Sequence, residues 1–242
     1  MLSANDKDKD YVLATEVQKD DGPFYCPECE GELILKQGRV KRPHFAHLPD
    51  ADCAYAGEPE SAEHIETKLE IYEALRVQPG VEKLQVERYL KEVRPDISFY
   101  FEGSYVAIEV QISPLTLDEL IHRTSAYTKK NIYVLWTPIF SLDMFGERYA
   151  PKEWERYIYN LYDGIIYYWS KDLELVPIEY EKYMLTPGRY STWSEKPSKR
   201  FVRPEMSPTV SILELSPLKQ PRRYPFPPVR LWGLPYDEDD EE

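Results

Sequence analysis

RPDISFYFEGSYVAIEVQIS, residues 94–113, carries the clearest structural signal in this chain of 242 residues. Apolar and polar residues alternate on both sides of Gly103-Ser104, a dipeptide typical of a two-residue turn between antiparallel strands. The spacing therefore predicts a β-hairpin. With the turn at this dipeptide, three apolar pairs face one another: Phe101 and Val106, Phe99 and Ile108, and Ile97 and Val110.

The opposite face of the predicted hairpin carries Asp96, Glu109 and Gln111. A register shifted by one residue would set apolar against polar side chains, so these three residues should share a face. Two carboxylates on a rigid sheet suit Mg²⁺ or Mn²⁺. Water molecules and a substrate phosphate would complete the coordination shell of the ion. Such an ion polarises a phosphodiester and activates a water. We expect Asp96 and Glu109 to bind this catalytic metal, with a backbone carbonyl near Val110 as a third ligand and Gln111 orienting the water or a phosphate oxygen.

The spacing of these residues resembles the core motif of the PD-(D/E)XK nuclease superfamily. Pro95-Asp96 is followed, after twelve intervening residues, by Glu109-Val110-Gln111. The superfamily usually has lysine where Gln111 stands. We expect Lys68 to provide the positive charge that this lysine normally gives.

A helix is predicted over residues 61–76, where apolar residues recur at helical spacing. His64 and Lys68 are four residues apart and therefore share one side of this helix. Two interpretations remain open. They line the site, with Lys68 acting on the phosphate or the attacking water and His64 contacting metal or phosphate, or they lie on an ordinary solvated face.

The elements before and after the hairpin predict an order of helices and strands. Ser113-Pro114 can open a second helix, and Thr116 with Glu119 offers another capping option. That helix should run to about Lys130, and residues 132–136 should form a short buried strand. A strand before the hairpin, over residues 82–90, gives the order αβββαβ. This is the order of a restriction-endonuclease-like α/β core with a mixed sheet, in which the acidic residues lie on the second and third strands.

Residues 24–53 carry a second pattern, C-x2-C-x14-H-x2-H-x5-C. A C-x2-C turn presents two thiolates to one tetrahedral Zn²⁺, and later residues supply the other ligands. Residues 33–40 between them predict a hairpin turning at Gly38, so the segment is zinc-ribbon-like. Four of five candidates would hold a structural zinc ion: Cys26, Cys29, His44, His47 and Cys53.

Taken together, these motifs resemble the competence protein CoiA-like family. The resemblance rests on blocks in a fixed order: Cys26-Pro-x-Cys29, Arg42-Pro-His-Phe-Ala-His47, Ser61-x2-His64-x3-Lys68, Arg94-Pro-Asp96, Ile108-Glu-Val-Gln-Ile-Ser113, Arg123-Thr-x2-Tyr127 and Val134-Leu-Trp136. It implies a zinc-binding N-terminal segment fused to a nuclease domain, associated with DNA uptake and recombination. It also favours a site role for His64 and Lys68. Arg123 and Tyr127 would bind phosphate or pack the helix edge.

Composition separates the chain into three parts. We expect a zinc-binding segment over residues 1–57 with a loose start over 1–20, a nuclease-like domain over 58–185, and an irregular Pro-rich segment over 186–242. Between residues 187 and 232 nine Lys or Arg face three acidic residues, and the last six residues are acidic. This basic segment could contact DNA through Arg222, Arg223 and Arg230, or bind a protein partner.

Net charge is −13, and no apolar run is long enough to cross a membrane. The charged start lacks a signal peptide, so we expect a cytoplasmic protein that does not contact membranes. The leading hypothesis is a Mg²⁺- or Mn²⁺-dependent deoxyribonuclease serving DNA uptake, recombination or defence against foreign DNA. The alternative is a catalytically silent adaptor that kept the fold and binds DNA or protein. Strand preference, endo or exo cleavage and oligomeric state stay open.

Overall fold

A computed structural model describes residues 1–38, 41–49, 51–53, 60–111 and 115–215 of the chain. Its strands are β1 (Ser3–Asn5), β2 (Tyr11–Leu13), β3 (Phe24–Tyr25), β4 (Glu32–Lys36), β5 (His44–His47), β6 (Val81–Val86), β7 (Ile97–Phe101), β8 (Ser104–Gln111), β9 (Tyr133–Pro138), β10 (Ile166–Lys171), β11 (Glu174–Leu185), β12 (Lys196–Met206) and β13 (Val210–Ser211). Its α-helices are α1 (Ala62–Arg76), α2 (Leu117–Lys129) and α3 (Glu153–Leu161), and short 3₁₀ turns cover Lys19–Asp21 and Leu142–Phe145.

The central sheet has the order β6-β7-β8-β9, with β8 and β9 parallel and the other pairs antiparallel. Together with α1 and α2 this confirms the predicted αβββαβ order and the mixed α/β fold. Ser61 caps α1 by accepting a hydrogen bond from the His64 amide. The Thr116 and Glu119 capping box begins α2. The other capping option, Ser113-Pro114, lies outside the described residues.

The register of the β7–β8 hairpin differs from the prediction by two residues. Phe101 pairs with Ser104 and Phe99 with Val106, so the turn is Glu102-Gly103. Both turn residues have positive φ, 48° and 79°, as a tight hairpin turn that follows the strand twist requires. Because the shift is even, each side chain keeps its predicted face. Asp96 and Glu109 therefore remain on the same side of the sheet.

The prediction that residues 1–20 are loose is wrong. β1 and β2 form a hairpin in a five-stranded sheet of order β2-β1-β3-β4-β5. In the charged turn between them, Asp6 accepts hydrogen bonds from the amides of Asp8 and Asp10. Leu2 and Leu13 pack with Leu69 of α1 and with Val86 of β6. The hairpin therefore joins the N-terminal sheet to the central one.

The predicted hairpin around Gly38 is formed by β4 and β5, which pair from Leu33–His47 to Lys36–His44. Its second strand starts later than expected, at His44, and residues 39 and 40 lie outside the described part. Residues 54–59, around the predicted domain boundary between residues 57 and 58, lie outside the described part.

A third sheet, of order β10-β11-β12 with β13 also on β11, continues from β9 through a bridge between Ile139 and Trp169. β12 lies within the segment that we predicted to be irregular from Pro187 onwards. It is an edge strand, where Pro197 and Pro204 are tolerated because an edge leaves amide positions unpaired. Residues 216–242, with Arg222, Arg223, Arg230 and the acidic end, lie outside the described part.

The main core lies around the central sheet and α1, α2 and α3. Trp136 of β9 is fully buried, and its indole N–H donates to Thr124 of α2 at 3.1 Å. The Tyr162 hydroxyl accepts from the Trp136 amide and donates to the Val134 carbonyl. These contacts fix α2 and the end of α3 against β9. Within the part of the chain that is described, no helix is both long and apolar enough to span a bilayer.

The turn assignment can be tested by Glu102→Asn. Asparagine tolerates positive φ better than glutamate, so the free energy of unfolding should rise by about 0.5 kcal/mol. In the register that the sequence suggested, residue 102 would lie within the strand, and asparagine would lower stability. Urea unfolding measures the difference. Glu82→Asn, an exposed change within β6, is the matched control and should lower stability slightly.

Candidate metal and nuclease-like site

The predicted acidic residues meet at one end of the central sheet. Asp96 lies just before β7, and Glu109 lies near the end of β8. The Val110 amide donates to Asp96 Oδ2 at 2.8 Å, which fixes this carboxylate beside the residue that precedes Val110, Glu109. The Glu87 amide donates a hydrogen bond to the Asp96 carbonyl at 3.0 Å, which holds the loop between β6 and β7 in place.

His64 of α1 faces the same point. Its Nε2 lies 3.1 Å from Asp96 Oδ2 and its Nδ1 lies 3.0 Å from Glu60 Oε1. The ligating atoms of Glu60, His64 and Asp96 all lie within 4.8 Å of one another, so this cluster could hold a metal ion. The three side chains keep 14–24% of their surface exposed, which leaves one side open to solvent.

Electrostatics keep this cluster charged. Burial opposes ionisation of Asp96, but the hydrogen bond from His64 and the charge of Lys68 outweigh it and lower the pKa of Asp96. Burial likewise opposes protonation of His64. Its hydrogen bonds to Asp96 and Glu60 prevail and raise the pKa of His64 to about 9. The imidazolium therefore bridges the two carboxylates, and it must lose a ring proton before one of its nitrogens can bind a metal ion.

Lys68 is not on a solvated face; its side chain is only 1% exposed. The ammonium contacts Glu60, lies 2.6 Å from Glu87 Oε1 and lies 3.7 Å from Asp96 Oδ1. Burial would lower the pKa of Lys68, but these carboxylates raise it above its usual value. A charged lysine in this place neutralises and positions the acidic cluster.

Glu87 is the residue that joins this cluster to the N-terminal sheet. It contacts Lys68 and Arg94 through its carboxylate and accepts the Leu2 amide at 2.8 Å. Its φ of 54° is rare for a residue with a side chain and costs about 1–3 kcal/mol, which the surrounding contacts must offset. Burial works against its ionisation, but Lys68 and Arg94 hold the pKa of Glu87 well below its usual range.

Glu109 is held from the other side, by α2. Arg123 donates to its Oε1 at 2.5 Å, and the Tyr127 hydroxyl donates to the same oxygen. Arg123 and Tyr127 thus contact a carboxylate, which neither of their two predicted roles included. Burial raises the pKa of Glu109 to about 7, although Arg123 opposes the shift. Gln111 is 8% exposed at the end of β8, opposite Pro138 of β9. The catalytic roles of Glu109 and Gln111, and the carbonyl ligand near Val110, stay predictions.

The second cluster lies in the N-terminal sheet. Ligand atoms of Cys26, Cys29, His47 and Cys53 lie within 4.8 Å of one another. Cys29 Sγ is 3.5 Å from His47 Nε2, and Zn–S and Zn–N bonds of ~2.3 and ~2.0 Å would place the two atoms about 3.5 Å apart in a tetrahedral site. His44 lies outside this cluster, with Nδ1 2.9 Å from the Arg42 carbonyl.

Backbone amides support the thiols. The Glu28 amide points to Cys26 Sγ and the Gly31 amide to Cys29 Sγ, each at 3.4 Å. Both contacts favour thiolates, which are the form that binds a metal. A metal ion held by four protein ligands would have no open position for a substrate.

Two members of the nuclease-like site were missed by sequence analysis, Glu60 and Glu87. Glu60 is four residues before His64 and eight before Lys68, a helical spacing that indicates a shared face. Glu87 has no sequence signal, because its role depends on contacts with residues far along the chain.

Comparison with known families agrees with this geometry. The model described as "Competence protein CoiA, N-terminal domain" matches residues 6–56. The model described as "Competence protein CoiA, nuclease-like domain" matches residues 60–152. The chain belongs to the competence protein CoiA family. Every residue of the two clusters lies within the ranges that these two CoiA domains cover.

Competence protein CoiA of Bacillus subtilis (strain 168) is 36% identical to the chain over 115 residues. The match covers 47% of this chain and 30% of that CoiA protein, so the chain spans less than a third of the curated relative. No solved structure gives a significant match.

Removing Glu87 tests whether it holds the buried lysine. Glu87→Ala should lower the free energy of unfolding by about 3–5 kcal/mol, because it leaves Lys68 buried with fewer counter-charges. The double variant Lys68→Met/Glu87→Leu should recover much of this loss. Exposed Glu70→Ala is the control and should change stability by less than about 0.5 kcal/mol. Equal losses for Glu87→Ala and Glu70→Ala in urea unfolding would contradict the assignment.

Proposed function

We propose that this chain is a divalent-metal-dependent nuclease that hydrolyses phosphodiester bonds in DNA. The observation that carries the proposal is the cluster of Glu60, His64 and Asp96, whose ligating atoms converge beside Glu109 at an open end of the sheet. The nuclease-like domain of the CoiA family covers this region. The competence proteins of that family favour a role in DNA uptake and recombination, with defence against foreign DNA as a second setting.

The donor set fits a hard divalent cation. Two carboxylates suit Mg²⁺ and Mn²⁺, while an imidazole ligand favours Mn²⁺ over Mg²⁺. The ion would be held by Glu60, His64 and Asp96. Glu109, which we expected to be a ligand beside Asp96, is not one of these three clustered residues, and its Oε1 already accepts from Arg123 and Tyr127. When bound, such an ion supplies Lewis acidity and an activated water.

The surrounding residues have separate tasks. Lys68 is too deeply buried to touch a phosphate, so we assign it a positioning role toward Asp96 and Glu60 instead of the direct contact that the sequence suggested. Arg123, whose side chain is 30% exposed, is the cation that reaches the solvent side of the site. It can neutralise phosphate charge while it orients Glu109. Gln111 stays our candidate for orienting the water or a phosphate oxygen.

We further propose that Cys26, Cys29, His47 and Cys53 bind one structural Zn²⁺. Burial raises the pKa of the Cys26 thiol, so a cation is what would keep this sulfur ionised. The site would stabilise the short strands β3, β4 and β5, whose core is small.

A second candidate function is a catalytically silent adaptor that binds DNA or protein. It is favoured by Gln111 in the usual lysine position and by Glu109, which Arg123 and Tyr127 already engage. This candidate predicts binding without metal-dependent cleavage.

Cleavage of labelled single-stranded, linear and supercoiled DNA with Mn²⁺ or Mg²⁺ separates the two candidates. The wild type should cleave, with Mn²⁺ the better cofactor. Asp96→Asn should lower the rate by at least about 100-fold, and His64→Ala should remove most of the preference for Mn²⁺. His122→Ala changes an exposed histidine on α2 and is the control. Wild-type protein that is folded and zinc-loaded yet cleaves none of the substrates, or Asp96→Asn protein that cleaves normally, would refute the nuclease.

Metal content tests the zinc assignment independently of activity. Purified wild-type protein should contain about one Zn²⁺ per chain. His47→Ala should lose most of it and should unfold at a lower urea concentration. His44→Ala, three residues away on the same strand, is the matched control and should keep its zinc. Loss of zinc in His44→Ala but not in His47→Ala would reverse the ligand assignment.

A further inference from the structure

The outer end of the β11–β12 hairpin is strongly basic, although the net charge of the whole chain is −13. Residues 182–203, here called the ribbon arm, contain six Lys or Arg and one acidic residue, Glu195. All six cations are exposed: Lys182, Arg189, Lys196, Lys199, Arg200 and Arg203. The other acidic residues of the same hairpin lie closer to its base, and the outermost of them, Glu181, pairs with Arg203 in the register: Glu174, Glu179, Glu181 and Glu205. Positive charge gathered in this way attracts a polyanion.

The ribbon arm extends past the body of its sheet. β10 pairs with β11 only as far as Ile178, so from Glu179 outward the ribbon consists of β11 and β12, with a single bridge from Val202 of β12 to Tyr149. A two-stranded ribbon builds little core of its own. Packing therefore does not account for Tyr190 and Trp193 in the loop at its tip, which are 91% and 38% exposed.

Aromatic and basic side chains are interleaved along the arm. Lys199, Phe201 and Arg203 alternate along β12 and so share a face. The Arg148 guanidinium lies 4.1 Å from the centroid of the Phe201 ring. At the tip, the Lys196 ammonium lies 5.1 Å from the centroid of the Trp193 ring. Exposed rings next to cations are the combination that binds single-stranded nucleic acid, with bases on the rings and phosphates on the cations.

A groove of about 750 Å³ opens at the base of the arm. Phe145, Tyr183 and Arg203 line it, and Glu147 and Glu205 do so as well. Its mixed lining offers two rings, one phosphate partner and two acceptors for the amino group of a base. The groove therefore continues the basic and aromatic surface toward the body of the protein.

We propose that the ribbon arm binds single-stranded DNA and holds the substrate away from the point of cleavage. Paired bases keep their faces stacked inside a duplex, so the exposed rings of Tyr190 and Trp193 can only stack on unpaired bases. This inference deepens the proposed nuclease function by naming a substrate class, and it rests on that function for its biological meaning.

The arm and the acidic cluster lie at opposite ends of the strands. β8 and β9 are parallel, and the Ile139–Trp169 bridge is parallel too, so the end of β10 lies at the edge that holds Glu109. β11 runs away from that edge. From Leu175, opposite Trp169, to Lys182 it covers about 23 Å at ~3.3 Å per residue. Only a long DNA strand can contact both the ribbon arm and the acidic cluster.

Fluorescence anisotropy with labelled oligothymidine of about 30 nucleotides, without added Mg²⁺ or Mn²⁺, tests the arm alone. Tyr190→Ala/Trp193→Ala should weaken binding roughly tenfold or more, because stacking is lost. Lys199→Ala/Arg200→Ala/Arg203→Ala should lower the slope of log K against log salt by about 2. Oligothymidine of about 5 nucleotides should bind weakly to all variants.

Lys7→Ala/Lys36→Ala/Lys129→Ala removes three exposed charges elsewhere and is the matched control, which should bind like wild type. Unchanged binding by both arm variants, tighter binding of the corresponding duplex, or binding to anionic vesicles in place of DNA would each overturn the proposal.

The two proposals can fail separately. Binding by the arm without metal-dependent cleavage would leave the arm in place and refute the nuclease. Cleavage that depends on Asp96, with oligothymidine binding that ignores the arm variants, would refute the arm and leave the nuclease.

Discussion

The ammonium of Lys68 lies buried between carboxylates from three parts of the chain: Glu60 before α1, Glu87 after β6 and Asp96 before β7. None of these carboxylates would be stable there without a cation, since an unpaired buried charge costs several kcal/mol. The lysine therefore fixes α1 against the end of the sheet. Because Glu87 also accepts the Leu2 amide, the same interaction ties the N-terminal sheet to the nuclease-like domain.

The positively charged side chains lie on two sides of the acidic cluster. Lys68 and Arg94 lie behind the carboxylates and hold them, whereas His64 and Arg123 face the open side. The residue usually found as lysine on the third strand is Gln111 here, so its charge is supplied from α1 and α2 instead. A substrate phosphate would meet the site from the side on which His64 and Arg123 lie.

Periodicity was sufficient to predict the order of elements and the face of each hairpin residue. It could not give the register, because nothing marks Glu102 as a residue with positive φ. The burial of Lys68 was also missed, since two of its three carboxylate partners come from separate segments and single glutamates carry no pattern. β1 and β2 escaped notice because each has only three residues beside a charged turn. Spacing narrowed the candidate zinc ligands to five residues. Only the pairing of β4 with β5 shows that His47, and not His44, lies beside the cysteines.

We propose that Glu60, His64 and Asp96 form a divalent cation site with one nitrogen ligand. Pulsed electron paramagnetic resonance of Mn²⁺ added to the zinc-loaded protein tests this site, because a bound imidazole couples its ¹⁴N nucleus to the metal electrons. We expect one such coupling in wild type and in His122→Ala, and its loss in His64→Ala. Bound Mn²⁺ without nitrogen coupling in wild type, or coupling that survives His64→Ala, would refute the site.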